Sequence, residues 1–492
     1  MKKLFYIITF ILASLGSIAQ EKEPISIGHK TTIYSTILGE NRRIWIYNPA
    51  STSLARNEQK RYPVLYVLDG DAHFYSTVGI IQQLSQANGN GVLPEMIVVG
   101  IENTNRFRDL VPTAPPMTTI EKANPVVRFL SGELMPYIEK NLPAAPYRVL
   151  AGHSLGGLTA VDLLSNFPEL FNAYIAIDPS MWFNNEKFLN NAITQLKQKK
   201  LNGKRLFIGV ANTMPKGMTL EKVKADKTPA TQHIRSIVRL NEFLETNQSG
   251  LVSSYQFYEK ENHNTVPLLS LYDGLKFIFN YYQMDLTEKD FLDSSAQIAV
   301  QLKKHYAIVS NQLGYQVSAP QSLINYLAND ALGKKQYNRA GALFTLNIES
   351  YPDSSNVYDS YADFLIVKKD TVNAIAYYKK ALSLKSDPLT LNKLNRLTNQ
   401  AFYNPSADEL KIYEGVYTLE NYKIDVVIYL RNGKLWSKVP GQPDDEFIPL
   451  SKDVFAIKGK QGYSIKFNLK DGKPTEFIAD QPNGVFRGEI KR

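Results

Sequence analysis

The segment Val149-Leu150-Ala151-Gly152-His153-Ser154-Leu155-Gly156-Gly157 constrains this chain more than any other, because it reads as a buried strand entering a sharp Gly-x-Ser-x-Gly turn and then a helix. Such a turn leaves no room for Cβ atoms on either side of its tip, and residues 152 and 156 are glycine. Ser154 falls at the tip as the candidate nucleophile, and Leu158 to Leu164 continues as an apolar helical run. A serine hydroxyl alone is a weak nucleophile. A base, an orienting acid and donors for a developing oxyanion must come from elsewhere in the chain.

The surroundings of that turn define its fold class. Between Ile25 and Tyr282, short apolar strands alternate with helical stretches: Arg43–Tyr47, Pro63–Leu68, Met96–Ile101, Arg148–Leu150, Ala173–Ile177 and Leu206–Val210. Strands that are apolar throughout and separated by helices predict an α/β domain, residues 25–282, with a mostly parallel sheet covered on both faces. At 492 residues the chain has room for about three domains at roughly 150 residues each. Residues 283–320 read as a helical connector. Aligning 321–354 with 355–388 pairs Ile324 with Tyr358, Leu327 with Tyr361, Ala328 with Ala362, Ala340 with Ala374 and Phe344 with Tyr378. That 34-residue period is similar to tetratricopeptide-type helical hairpins over 321–400, which need flanking helices or the α/β domain to cap them. From about Asp408 the apolar period becomes two, with turn signals at Asn432-Gly433 and Asp471-Gly472, so residues 408–492 predict a small antiparallel β-barrel or sandwich.

Composition removes several function classes. Lys2 and Lys3, an apolar stretch from Leu4 to about Leu15 and Ser17-Ile18-Ala19 predict an export signal over 1–19, giving a periplasmic or secreted protein. That stretch is short for a membrane span, and no other segment approaches the length needed. The chain has no cysteine, which excludes disulfides and thiolate zinc sites. Net charge is +9, or +7 without residues 1–19, and its basic residues are dispersed, so nucleic acid is not an expected partner.

On a strand, elbow and helix scaffold of this kind the chain order is nucleophile, acid, histidine. His29, His73 and His153 precede or adjoin Ser154. His233 falls in an expected helix from Thr231 to Leu244 and His305 in the connector, whereas His263 follows a strand within Tyr255-Gln256-Phe257-Tyr258-Glu259-Lys260-Glu261-Asn262-His263 and is the expected base. The acid is less sharply indicated, since the strand Leu206–Val210 is followed by Ala211-Asn212-Thr213. Asp226 is the first choice, Glu221 and Asp178 are rivals, and a serine–histidine dyad without an acid stays open. Oxyanion donors are expected from the amides of Leu155, directly after Ser154, and Asp71, after the strand ending at Leu68.

Five blocks in order resemble the putative-esterase family of α/β hydrolases, which includes siderophore, feruloyl and acetyl-xylan esterases and esterase D. They are Leu65-Tyr66-Val67-Leu68-Asp69-Gly70, Arg106-Phe107-Arg108-Asp109-Leu110-Val111-Pro112-Thr113, the Ser154 elbow, Asp178-Pro179-Ser180-Met181-Trp182, and the His263 loop with Leu271-Tyr272-Asp273-Gly274-Leu275. The resemblance implies an α/β-hydrolase fold and an exported serine carboxylic-ester hydrolase, most like the siderophore branch, with Arg108 and Trp182 as substrate-binding residues and neither metal nor organic cofactor. Arg108 could instead form a salt bridge to Asp109, and Trp182 could be a core aromatic. A polysaccharide acetyl or feruloyl esterase, and a non-catalytic binding scaffold, are the alternatives. The C-terminal segment resembles small lipocalin-like modules, and the helical repeats suggest a protein or peptide partner.

Overall fold

The computed structural model describes residues 26–491 apart from 50–59, 87–90, 113–118, 399–402, 404, 420–421, 459, 461–462 and 482–483. The export signal read over 1–19 lies outside the described residues, as does Thr113 of the second family block. Eight strands form one sheet: β1 (His29–Ser35), β2 (Glu40–Tyr47), β3 (Tyr62–Leu68), β4 (Ile97–Ile101), β5 (Ala144–His153), β6 (Ala173–Ile177), β7 (Arg205–Ala211) and β8 (Val252–Tyr258). Their order is β1-β2-β4-β3-β5-β6-β7-β8. β1, β2 and β4 pair antiparallel, and every pairing from β4 through β8 is parallel. All six expected strands are present. β1 was not legible as an apolar run because its outward residues are exposed, which is the alternation of an edge strand wet on one side.

The period-two geometry of these strands sorts their side chains into two cores. Leu65, Val67, Val149, Ile175 and Phe207 face one layer, with Phe74 and Val78 of α1 (Gly70–Gln86). Val64, Tyr66, Leu68, Leu150, Tyr174 and Ile208 face the other. Beyond the short α2 (Arg106–Leu110), that second layer is built from α3 (Leu155–Asn166), α4 (Lys187–Gln198) and α5 (Gln232–Thr246). Helix α6 (Val266–Ile278) returns to the first layer and packs Leu271 and Leu275 beside α1.

The first layer does not stop at the sheet. Tyr147 and Phe279 continue into Ile298, Leu302 and Val309 of α7 (Gln297–Leu313), and from there into two helical hairpins. The hairpins are α8 (Gln321–Gly333) with α9 (Tyr337–Ser350), and α10 (Ser355–Val367) with α11 (Thr371–Leu384). Ala340 and Ala374, and Phe344 and Tyr378, are buried at corresponding places, and Lys335 and Lys369 both take positive φ in the connecting turns. Helix α7 lies against α9, and α12 (Pro388–Thr398) lies against α11, so the ends of the pair are covered.

Strands β9 (Gly415–Leu419), β10 (Ile424–Arg431), β11 (Lys434–Lys438), β12 (Asp445–Ser451), β13 (Val454–Ile457), β14 (Ser464–Lys470), β15 (Lys473–Gln481) and β16 (Gly484–Ile490) close into an antiparallel barrel. Its inside is filled by Tyr413, Tyr417, Phe447, Phe455, Phe467 and Phe477, a core separate from those of the sheet. Asn432-Gly433 and Asp471-Gly472 are the expected tight turns, with φ of 53° and 75°, and 52° and 74°. Among the described residues no helix is long and apolar enough to cross a membrane.

Candidate active site

Three neighbouring strands, β3, β5 and β6, each run out into a non-glycine residue with positive φ: Asp69 at 53°, Ser154 at 60° and Asp178 at 41°. Left-handed backbone at a residue with a Cβ is strained, and such strain persists only where the surroundings fix it. At Ser154 the surroundings are visible. Its N–H donates to the Ile177 carbonyl at 2.9 Å, and the Ser180 N–H donates to the Ser154 carbonyl at 3.0 Å. The crossing is as tight as the sequence implied, since a Cβ on Gly152 would stand 2.3 Å from the Gly156 carbonyl oxygen. Ser154 precedes the first turn of α3, where the Leu155 amide is one of the unpaired donors of a helix start. Asp71 lies in the first turn of α1, directly beyond Asp69. A Cβ on Gly70 would meet the Gly100 carbonyl carbon at 2.4 Å, so that turn too depends on glycine.

The structure joins His263 to a carboxylate, though not to Asp226. His263 Nδ1 lies 2.5 Å from Asp178 Oδ2. Asp178 follows β6, its N–H donates to the Gly209 carbonyl, and its Oδ1 accepts the Ala211 N–H at 3.0 Å. The carboxylate is thereby pinned against the end of β7, the place where an acid following that strand would stand. Asp226 is elsewhere: its Oδ2 accepts from the hydroxyls of Thr228 at 2.6 Å and Thr231 at 2.5 Å, and it ties down the approach to α5. Glu221 is exposed on the short helix Leu220–Ala225. The structure thus brings Asp178, the rival, to His263 where the sequence preferred Asp226, because adjacent parallel strands bring the end of β6 beside the end of β7.

Two residues that the sequence reading passed over touch this centre. His233, in the first turn of α5, places Nε2 2.8 Å from the same Asp178 Oδ2. Ser180 Oγ lies 3.2 Å from Ser154 Oγ. Burial works to raise the Asp178 pKa, but hydrogen bonds from His233 and then His263 outweigh it and hold the carboxyl at about 2. Asp178 is thus an anion with two imidazoles around it. The signal for Ser180 was present in the Asp-Pro-Ser block. His233 was set aside for lying in a helix, although a helix N-terminal turn can face a site as well as a loop can.

His153 completes a file of rings, 4.5 Å from His263 and 5.8 Å from His73 between centroids. Burial first, then the His263 and His73 imidazoles, push its pKa down from 6.5 to about 4, and its Nε2 is buried with no hydrogen-bond partner among the described residues. Its folded pKa lies below the unfolded value. The linked stability is therefore intact above pH 6.5 and is lost as pH falls toward 4. That shift corresponds to about 3 kcal/mol at the acid end. His153→Gln should lose less apparent Tm across this interval than the wild type. Parallel losses in thermal melts of the two proteins would contradict the assignment.

Arg108 is held by both oxygens of Glu40, at 3.0 and 2.7 Å, by Asp109 Oδ1 and by Thr104 Oγ1. It joins an ion-pair network with the buried Arg42, so the salt-bridge alternative describes it better than the substrate-binding expectation. Arg106 is nearer the elbow, with a two-pronged bond to Asp69 and Nη2 3.4 Å from the His153 carbonyl. Trp182 is not a core aromatic: it is 40% exposed, two residues beyond Ser180, and Phe183 links it to the exposed Phe107.

A mostly parallel sheet with a strained serine between strand and helix, and a histidine-bound acid at the neighbouring strand end, defines the α/β-hydrolase fold. Residues 35–249 match the family model described as putative esterase. The crystal structure of an IroE-like serine hydrolase from Shewanella oneidensis superposes with a TM-score of 0.52 at 26% identity, covering 65% of this chain and 99% of that one. The ferri-bacillibactin esterase BesA of Bacillus subtilis is 32% identical over 142 residues, which is 25% of this chain and 49% of BesA. The siderophore enterobactin esterase of Emericella nidulans is 24% identical over 250 residues, 44% of this chain and 82% of that protein.

Proposed function

We propose that the protein is an exported serine hydrolase of carboxylic esters, working through an acyl-enzyme, with a siderophore-type ester as its substrate. The observation that carries this is the bond from His263 Nδ1 to Asp178 beside the Ser154 elbow. With Nδ1–H held by the carboxylate, the remaining ring nitrogen, Nε2, carries a lone pair and acts as the base. Ser154 Oγ attacks the acyl carbon while His263 Nε2 takes its proton. The Leu155 and Asp71 amides donate to the oxyanion, and Asp178 stabilises the imidazolium. His263 then returns the proton to the departing alcohol, and water repeats the sequence on the acyl-serine. Trp182, with Phe107 and Phe183, offers an exposed aromatic edge suited to an aryl-bearing ester. The sequence relatives named a siderophore enterobactin esterase and a ferri-bacillibactin esterase favour that substrate class over a polysaccharide.

The test is a comparison of kcat/KM for enterobactin with feruloylated and acetylated polysaccharide. The siderophore ester should lead by at least tenfold. A tenfold preference for a feruloyl or acetyl ester would overturn the substrate assignment, and inertness toward all three would overturn the hydrolase reading.

A further inference from the structure

An acid and histidine of a serine hydrolase ordinarily offer a metal one oxygen and one nitrogen, too few to hold it. Here a second imidazole has been added. Asp178 Oδ2, His233 Nε2 and His263 Nδ1 converge from the end of β6, the start of α5 and the loop after β8, all within 4.8 Å of one another. We propose that these three atoms form a zinc site that, when filled, switches off the base of the hydrolase.

The donor set fits. Imidazole nitrogen and carboxylate oxygen suit Zn²⁺, and three protein ligands with an open fourth position is a familiar zinc arrangement, whereas Mg²⁺ and Ca²⁺ prefer oxygen throughout. The two nitrogens lie 2.8 and 2.5 Å from the shared oxygen. Bonds of about 2.0 to 2.2 Å around a tetrahedral ion would place the ligands roughly 3.3 Å apart, so the cluster must open by roughly 0.5 to 0.8 Å. Asp178 is fixed by the Ala211 amide, while the His233 and His263 side chains are 20% and 35% exposed, leaving the two rings to move and the ion a route in.

The consequence for catalysis follows from the tautomer. A metal on His263 Nδ1 displaces the proton to Nε2, and a nitrogen bearing hydrogen cannot accept one from Ser154. The ion also uses the Asp178 oxygen that would stabilise the imidazolium. The inhibitory consequence rests on the role given to His263 above; the metal site itself does not.

The test uses the full chain and His233→Gln, whose amide can still donate to Asp178 while removing the imidazole ligand. Co²⁺, as a coloured stand-in for Zn²⁺, should bind Ser154→Ala protein with one-to-one stoichiometry and give visible bands, and adding His233→Gln should weaken binding at least tenfold. Zn²⁺ should inhibit ester hydrolysis by the wild type, reversibly with a chelator and not with Mg²⁺. In His233→Gln, measured against its own metal-free rate, inhibition should need at least tenfold more Zn²⁺. Should that variant fail to fold, Zn²⁺ must still slow fluorophosphonate labelling of wild-type Ser154. Equal zinc sensitivity in both proteins, activation by zinc, or no Co²⁺ spectrum would overturn the site. Cobalt binding in a chain inert to every ester and to fluorophosphonate would leave the site standing and remove the hydrolase reading, and ester hydrolysis without cobalt binding would do the reverse.

Discussion

Ser154→Ala is expected to lower kcat/KM toward carboxylic esters by three or more orders of magnitude and to abolish labelling by a fluorophosphonate. Removing a nucleophile leaves only binding and oxyanion stabilisation, which do not replace the acyl-enzyme. The fold should survive. Alanine keeps the Cβ at the 60° φ, and the backbone bonds to Ile177 and Ser180 do not involve the hydroxyl. What leaves is the Oγ and its 3.2 Å contact with Ser180. A folded Ser154→Ala protein retaining a tenth or more of the wild-type rate would place the chemistry elsewhere.

The second large effect separates two carboxylates. Asp178→Asn should reduce kcat by about 10³ to 10⁴, because an amide no longer selects the His263 tautomer or offsets the imidazolium charge, whereas Asp226→Asn should change it by less than about threefold. Asp226 acts on the hydroxyls of Thr228 and Thr231, so its loss should appear as a modest drop in thermal stability. Were Asp226→Asn the crippling change and Asp178→Asn the mild one, the acid assignment would be reversed.

These two aspartates also show how far the sequence could be read. The elbow was legible because backbone geometry there demands specific residues, and His263 was singled out because chain order set aside His29, His73 and His153 while its loop after a strand distinguished it from His233 and His305 in expected helices. The acid was not, since sequence order says which strand a residue follows but not which strand ends lie side by side. The fold places the end of β6 against β7, and the Ala211 amide, from the very segment searched for an acid, holds the Asp178 carboxylate instead. His233 shows the same limit, because a helix periodicity identifies the element and not what its first turn faces. The central strands, the 34-residue spacing and the glycine turns of the barrel were legible, being local patterns. The edge strand β1 was not, since its neighbours make it a strand more than its own composition does.

The core layer that runs from Leu65 through Leu302 to Phe344 and Tyr378 bears on how this chain is made. Domains generally fold as units during synthesis, the N-terminal one first. Here the sheet emerges early, yet one of its two apolar faces shares its packing with helices that are translated much later. Nascent chains ending near Tyr282 would hold every residue of the Ser154 centre yet carry an open flank for which a chaperone is the natural temporary cover. The aromatic barrel has its own sealed interior and needs no such cover.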